Sequence, residues 1–373
     1  AWEYSLRSES PRRGMNWHVD LIGNTFAIFD SVSNFQMGLN GDSNYEPPFD
    51  KDLVSDEPLH QKAIPRRFGI CIFEVTHQQF SEFEEHLCGF YERKLIETET
   101  AIANLDRTEP PPPQGSDVEE KLKKTKKRYD ARLKGIKRQR TKRASAAPRS
   151  PVTDVDWFKC LAYCRWLNEL NNLDQTSLPD IDSLAMMNAK FPKIELFSNQ
   201  DVLNSNGYRL PTASEWEFAC GGDIETLYPF GKHTSLAKQY AWYANNSPTN
   251  SHPVGELLPG PTGMFDMLGN VNEWCLDWYR PDLPDLPDLP DLPDLPDLPS
   301  DQESSIYVDH GTDHRSLTCE YRGGAFDSTI SEIRISKRFL RNPVFAQATL
   351  GLRLARTYPP LPSGDKKATE SSK

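Results

Sequence analysis

The apolar positions along the chain mark short strands and a few capped helices more clearly than any long periodic element. Phe26-Ala-Ile-Phe29 and Phe35-Gln-Met37 are apolar runs separated by a polar turn and predict two strands. Phe68-Gly-Ile-Cys-Ile-Phe73 is a continuous apolar run short enough for a buried strand. Thr76 follows as a helix cap, with Gln79 at the capping-box position and Phe80, Phe83 and Leu87 on one face. Asp154 or Asp156 opens a second helix that places Trp157, Cys160, Leu161, Cys164 and Leu167 on one side. Pro211-Thr-Ala-Ser-Glu215 is a second capping box, opening a helix through Trp216, Ala219 and Cys220 that Gly221-Gly222 ends.

Two stretches break this pattern. Residues 119–143 carry 13 Lys/Arg against Glu119, Glu120 and Asp130, and Ser116 or Glu119 predicts the start of a helix through Lys121–Arg143. Net charge over the whole chain is −11, so the remainder is an acidic body with one basic arm. An acidic surface disfavours nucleic acid, and only Tyr129 in the arm could stack a base. The arm reads as a solvated insertion loop, with an arm for nucleic acid or an acidic partner as the alternative. Residues 282–299 are six Asp-Leu-Pro triplets, in which each proline fixes its own φ and keeps its predecessor out of the helical region.

Seven cysteines show no metal-ligand spacing, and unpaired thiols favour a reducing compartment, the cytoplasm. No apolar run is long enough for a membrane helix.

The stretch from Gly263 to Trp278 fits neither helical nor alternating periodicity. Two glycines and two asparagines interrupt its apolar residues, so the backbone turns repeatedly and leaves carbonyls in need of partners. Asp266 and Glu273 bracket the turn, with Gly269 and Val271 between them. Two carboxylates with backbone oxygens suit calcium, and capping of backbone amides is the alternative.

Gly263-Met-Phe-Asp-Met-Leu-Gly-Asn-Val-Asn-Glu-Trp274 resembles the signature of the formylglycine-generating enzyme, or sulfatase-modifying factor, family. Further motifs of that family stand in order. They include Phe35-Gln-Met-Gly38, Asp56-Glu-Pro-Leu-His60, Glu74-Val-Thr76, Gly207 to Phe218, Tyr321-Arg-Gly-Gly-Ala-Phe326 and Leu350-Gly-Leu-Arg-Leu-Ala355. The resemblance covers roughly residues 17 to 358 apart from two insertions. It departs from the family at Asn272, where a large aromatic residue is usual.

The resemblance implies an α+β fold of the C-type-lectin-like kind, with small antiparallel sheets, two main helices and high loop content. It divides the chain into a linker (1–16), a first part (17–90), a Pro-rich and basic insertion (91–150) and a second part (151–280). An Asp-Leu-Pro insertion and loop (281–320), a C-terminal part (321–358) and a disordered tail (359–373) follow. It also implies structural calcium at Asp266, Gly269, Val271 and Glu273. The family's first calcium site would fall at Asn245 and Asn246, where the following loop lacks an acidic residue to close it.

Catalytic members hold copper(I) with two cysteines shortly after Arg-Gly-Gly. Counted forward from the glycines, these positions are Ser328 and Ile333; counted back from Leu350-Gly351 they are Ala325 and Ile330. No cysteine follows Cys319, which argues against copper. Iron, as in relatives that join sulfur to histidine derivatives, would need a histidine triad. Only His310 and His314 lie close together, so iron is not expected.

The expected role is therefore a non-catalytic, calcium-stabilised binding or regulatory module. Its recognition face would hold Phe326, Asp327, Ser328, Glu332 and Arg334 and take a protein or peptide. The start of the chain resembles the junction in bacterial fusions that place a Ser/Thr kinase before this domain, although no kinase motif is present. The competing expectation is an oxidoreductase acting on a peptide cysteine or small thiol. Neither reading involves a membrane, and nucleic acid is not expected as a partner.

Overall fold

A computed structural model describes residues 7, 8, 11, 15–39, 59–105, 117–173, 177–180, 199–279 and 318–360. The chain forms two compact units, one of Ala1–Val75 with Pro151–Lys373 and one of Thr76–Ser150.

The larger unit starts with β1 (Trp17–Val19), β2 (Thr25–Phe29), β3 (Val32–Met37), β4 (His60–Ile64) and β5 (Arg67–Cys71). In the smaller unit, α1 spans His77–Leu105 and α2 spans Asp117–Arg143. The larger unit resumes with α3 (Trp157–Leu170), α4 (Asn199–Asn204), β6 (Tyr208–Arg209), α5 (Ala213–Gly221) and α6 (Ala237–Tyr240). It closes with β7 (Asn272–Tyr279), β8 (Thr318–Arg322), β9 (Phe339–Arg341), β10 (Leu350–Leu352) and β11 (Ala355–Tyr358).

Three small sheets result. Five strands run in the order β1-β2-β5-β11-β6, four in the order β10-β7-β8-β9, and β3 pairs with β4. Among the described residues, only the β10–β7 strand pair is parallel; the others are antiparallel. Gly69 in β5 permits the close stacking of β2 and β11, since a Cβ there would lie 2.6 Å from the Tyr358 ring and 2.8 Å from Ile28. The apolar runs read from the sequence supply the core, where Phe35, Phe68 and Ile70 meet Trp216, Met264, Met267, Leu268 and Cys275.

The helices of this unit begin where their caps place them. Asp156 accepts from the Lys159 N–H and starts α3, whose buried face holds Trp157, Cys160, Leu161, Cys164 and Leu167. Thr212 and Glu215 cap α5 reciprocally, and Gly222 ends it at φ +68°. The indole of Trp157 donates to the Cys275 carbonyl (2.7 Å) and that of Trp274 to the Val155 carbonyl (3.1 Å), fixing the start of α3 to β7.

The smaller unit is a helical hairpin. The predicted box of Thr76 and Gln79 opens α1, which continues through residue 90 to Leu105. On α1 the less exposed positions 80, 84, 87, 91, 94, 98, 101 and 105 recur at steps of four and three. On α2 the same steps join 122, 126, 129, 133, 136, 140 and 143. That repeat is an antiparallel coiled-coil seam. The helix predicted through Lys121–Arg143 is α2, and it is one arm of a paired hairpin where the sequence suggested a solvated insertion. Tyr129 lies in the seam beside Tyr91 (5.9 Å between ring centroids), so it is closed to base stacking.

The Pro110–Pro113 stretch, the Asp-Leu-Pro triplets, His310, His314 and the 361–373 tail lie outside the described residues.

Candidate functional site

The turn before β7 is built from four residues at positive φ: Gly263, Asp266, Gly269 and Asn270. Gly269 is required by contact as well as by φ, since a Cβ there would lie 2.0 Å from the Trp242 carbonyl oxygen. Its N–H donates to the Gly323 carbonyl (2.9 Å), the Asn270 N–H to Trp242 (2.8 Å), and the Phe326 N–H to Asn270 (2.9 Å). The signature turn therefore holds together the loop at Trp242 and the Arg-Gly-Gly turn that follows β8.

Beneath the turn, three buried carboxylates share one guanidinium. Glu273 receives Arg353 Nη2 on Oε1 (2.6 Å) and Nε on both oxygens (3.0 and 2.9 Å), while Trp216 Nε1 donates to its Oε2 (2.7 Å). Arg353 also donates to the carbonyls of Cys71 (3.0 Å) and Phe265 (2.9 Å). Glu74 accepts from Asn270 Nδ2 (2.8 Å) and the Val271 N–H (3.2 Å). Asp266 accepts from the Gly255 N–H on Oδ2 (2.7 Å), whereas its buried Oδ1 has no donor.

The electrostatics follow. Burial, reinforced by the charges of Asp266 and Glu273, pushes the Glu74 carboxyl well up. Burial likewise pushes Asp266 up to about 6. The cluster is short of positive charge, and the orphaned Asp266 Oδ1 is where that deficit is exposed.

The calcium donor set fits this structure at Asp266 and not at Glu273. Asp266 offers an unsatisfied hard oxygen beside the turn. Glu273 has both oxygens filled by Arg353 and Trp216, so the arginine already serves as its cation. Among the described residues, no group of three or more His, Cys, Asp or Glu side chains converges as metal ligands do. At the first calcium position, Asn246 braces its own turn, accepting from the Tyr243 N–H (2.9 Å) and donating to the Ala241 carbonyl (3.0 Å).

The expected recognition face divides. Asp327 is exposed, and Ser328 and Glu332 are half-buried. Ser328 Oγ accepts from the Ala325 N–H (3.0 Å), and Glu332 caps its own turn by accepting from the Thr329 N–H (2.7 Å). Phe326 and Arg334 do not belong to an exposed face. Phe326 is 9% exposed, its backbone drawn in by Asn270, and Arg334 is fully buried with Nη1 donating to the Ser331 carbonyl.

The copper pair does not fit. Ser328, Ile333, Ala325 and Ile330 supply no thiolate. The seven cysteines are free and buried. Burial pushes the Cys71 thiol up to about 11 and those of Cys275 and Cys319 well above their ordinary value.

In the sequence Glu74 and Arg353 stand only within family motifs, which do not mark their electrostatic roles. A fixed acid immediately after an apolar strand was the available signal for Glu74. Nothing local could have paired Arg353 with an acid 80 residues away.

Residues 32–358 match the sulfatase-modifying factor enzyme 1-like domain family, and the chain belongs to that family. It is 28% identical over 217 residues to serine/threonine-protein kinase pkn1 of Chlamydia pneumoniae, which covers 55% of this chain and 32% of that protein. It is 33% identical over 164 residues to the formylglycine-generating enzyme of Thermomonospora curvata, covering 40% of this chain and 49% of that enzyme. The chain thus spans about a third of the kinase's length and about half of the enzyme's. Among solved structures, Treponema denticola variable protein 1 superposes with a TM-score of 0.56 at 22% identity, covering 93% of this chain and all of that one. That likeness establishes the α+β fold of this family.

Proposed function

We propose that this chain is a non-catalytic binding or regulatory module of the sulfatase-modifying factor family. The observation that carries the reading is the absence of any cysteine after Cys319, where catalytic relatives place the copper-holding pair. Anaerobic titration with copper(I) against a chelator of known affinity tests it, with a cysteine-containing peptide as the reaction probe. The expected result is no stoichiometric copper and no aldehyde product. One copper per chain together with aldehyde formation would restore an oxidoreductase acting on a peptide cysteine or small thiol.

The ligand on this reading is a protein or peptide, met by Asp327 with the flanking Ser328 and Glu332. The resemblance to pkn1 supports a place beside a Ser/Thr kinase domain in a longer chain. Seven unpaired thiols suit a reducing compartment, the cytoplasm. Structural calcium is proposed at Asp266 with the main-chain oxygens of Gly269 and Val271. It would offset the buried negative charge there, while Arg353 holds Glu273.

A further inference from the structure

The coiled-coil hairpin carries a charge pattern that the family reading does not use. Its seam is held partly by cross-helix ion pairs: Lys126–Glu99 and Lys137–Glu92 (both 2.8 Å), Arg140–Glu85 (3.6 Å) and Arg143–Glu84. Lys124 and Lys134 are answered within α2 by Glu120 and Asp130, each at 2.7 Å. Lys123 is likewise answered within α2, by Glu119. Lys121, Lys127, Arg128, Arg132 and Arg138 make no ion pair among the described residues. Lys121, Lys127 and Arg138 are exposed, and all five lie away from the 122–143 seam positions.

The heptad fixes which way these side chains face. With the seam at 122, 126, 129, 133, 136, 140 and 143, the exposed positions 121, 124, 127, 131, 134, 135, 138 and 142 form the opposite side of α2. Six of those eight are lysine or arginine, and none is acidic. From residue 121 to 138 the stripe is about 26 Å long at the helical rise. The chain as a whole is acidic, so the stripe is a local reversal of sign rather than part of a general basic character.

We propose that the outer face of α2 docks on double-stranded DNA through its phosphates. Three features select this occupant. Of the other three cations of α2's outer face, Lys124 and Lys134 are paired only at exposed, salt-screened sites and Lys142 is exposed, so the face is open to a polyanion. Apart from Val118 in its first turn, the apolar residues of α2 are taken up by the seam, leaving only Ala131 and Gly135 between the cations of the stripe, which gives it nothing to insert into a lipid interface. The B-form major groove is about 12 Å wide and admits a helix, whereas that of A-form RNA is too narrow. With Tyr129 closed in the seam, the contact reads backbone charge and not base identity.

The test is fluorescence anisotropy of the full chain with a random-sequence DNA duplex of about 24 base pairs, titrated from about 20 to 200 mM salt. Six phosphate contacts, one for each cation of that face, give a log–log salt slope of about −5.4. The triple variant K121Q/K127Q/R138Q, with helix content verified by circular dichroism, should make the slope shallower by about 2.7. Its affinity at the middle of the salt range should fall at least about tenfold. K232Q/K238Q, which removes two exposed charges from the larger unit, should bind as the wild type does. The proposal is overturned by any of three results: no binding at the lowest salt, equal binding by the triple variant, or tighter binding of poly-glutamate or phosphatidylserine vesicles than of DNA at equal charge.

Discussion

At the scale of residues, the buried acids beneath the signature turn make opposite demands on their surroundings. Glu273 has all its needs met by Arg353 and Trp216, so removing the arginine leaves a buried, unpaired carboxylate. Arg353→Met should therefore destabilise the protein by about 4 kcal/mol, read from urea unfolding midpoints. A loss below about 1 kcal/mol would mean that water or protonation already satisfies Glu273. Asp266 is the reverse case, with one oxygen satisfied and the other orphaned. Asp266→Asn keeps the shape and deletes the charge, so it separates two accounts of the site. With calcium bound there, the wild type melts higher in calcium than in chelator, and the variant loses that difference. Without calcium, the wild type ignores chelator and the variant is as stable or more so. Glu215 shows the effect of adequate pairing. Burial pushes its carboxyl up, but Arg209 and Arg66 outweigh burial and hold it at about 2. A depressed carboxyl contributes stability that is complete above its unfolded value near 4.3 and is lost as pH falls toward 2. The amount is about 3 kcal/mol, and Glu215→Gln should flatten the acid limb of a stability–pH curve over that window.

At the scale of elements, local chemistry was legible and long-range electrostatics was not. The capping boxes at Thr76 and Thr212 and the Asp156 cap mark the starts of α1, α5 and α3, because a cap is a contact between residues three apart. Thr212→Ala should cost about 1 kcal/mol, measured by thermal unfolding. The apolar runs at 26–29 and 68–73 likewise announce strands, since a sheet buried on both faces needs no alternation. The length of α1 was hidden for a physical reason. Between Tyr91 and Leu105 its seam is carried by Lys94, Thr98 and Ala101, whose stems and methyl groups pack without registering as an apolar heptad. The helix through Lys121–Arg143 was legible, but the same dilution disguised its seam, where Lys126, Arg140 and Arg143 stand. The burial of Phe326 goes with the bond its N–H makes to Asn270, which spacing cannot show, and nothing local announces that Arg334 is buried.

At the scale of the whole molecule, the chain leaves the larger unit at Val75 and returns at Pro151, and the two ends of that gap meet. The Val152 N–H donates to the Val75 carbonyl (2.8 Å), and the Val75 N–H donates to Leu352 (2.9 Å). Closing the loop at its base therefore needs no chain length, and the far part of the hairpin is free to vary without spacing anything in the sheets. The ion pairs give the hairpin's register, with Glu99 opposite Lys126 and Glu92 opposite Lys137, so residues 95 and 132 lie nearly across from each other. A variant in which 96–131 is replaced by a short Gly-rich turn keeps the paired base, including Glu84 with Arg143, and removes the tip. Its thermal midpoint for the larger unit, followed by near-ultraviolet dichroism of the buried tryptophans, should move by no more than about 2 °C. The same variant loses Lys121, Lys127 and Arg128, so DNA binding should weaken in parallel with K121Q/K127Q/R138Q while copper and calcium behaviour stays as in the full chain. A fall of more than about 10 °C would show that the tip supports the sheets, and the hairpin would then be part of the domain's stability instead of an appendage to it.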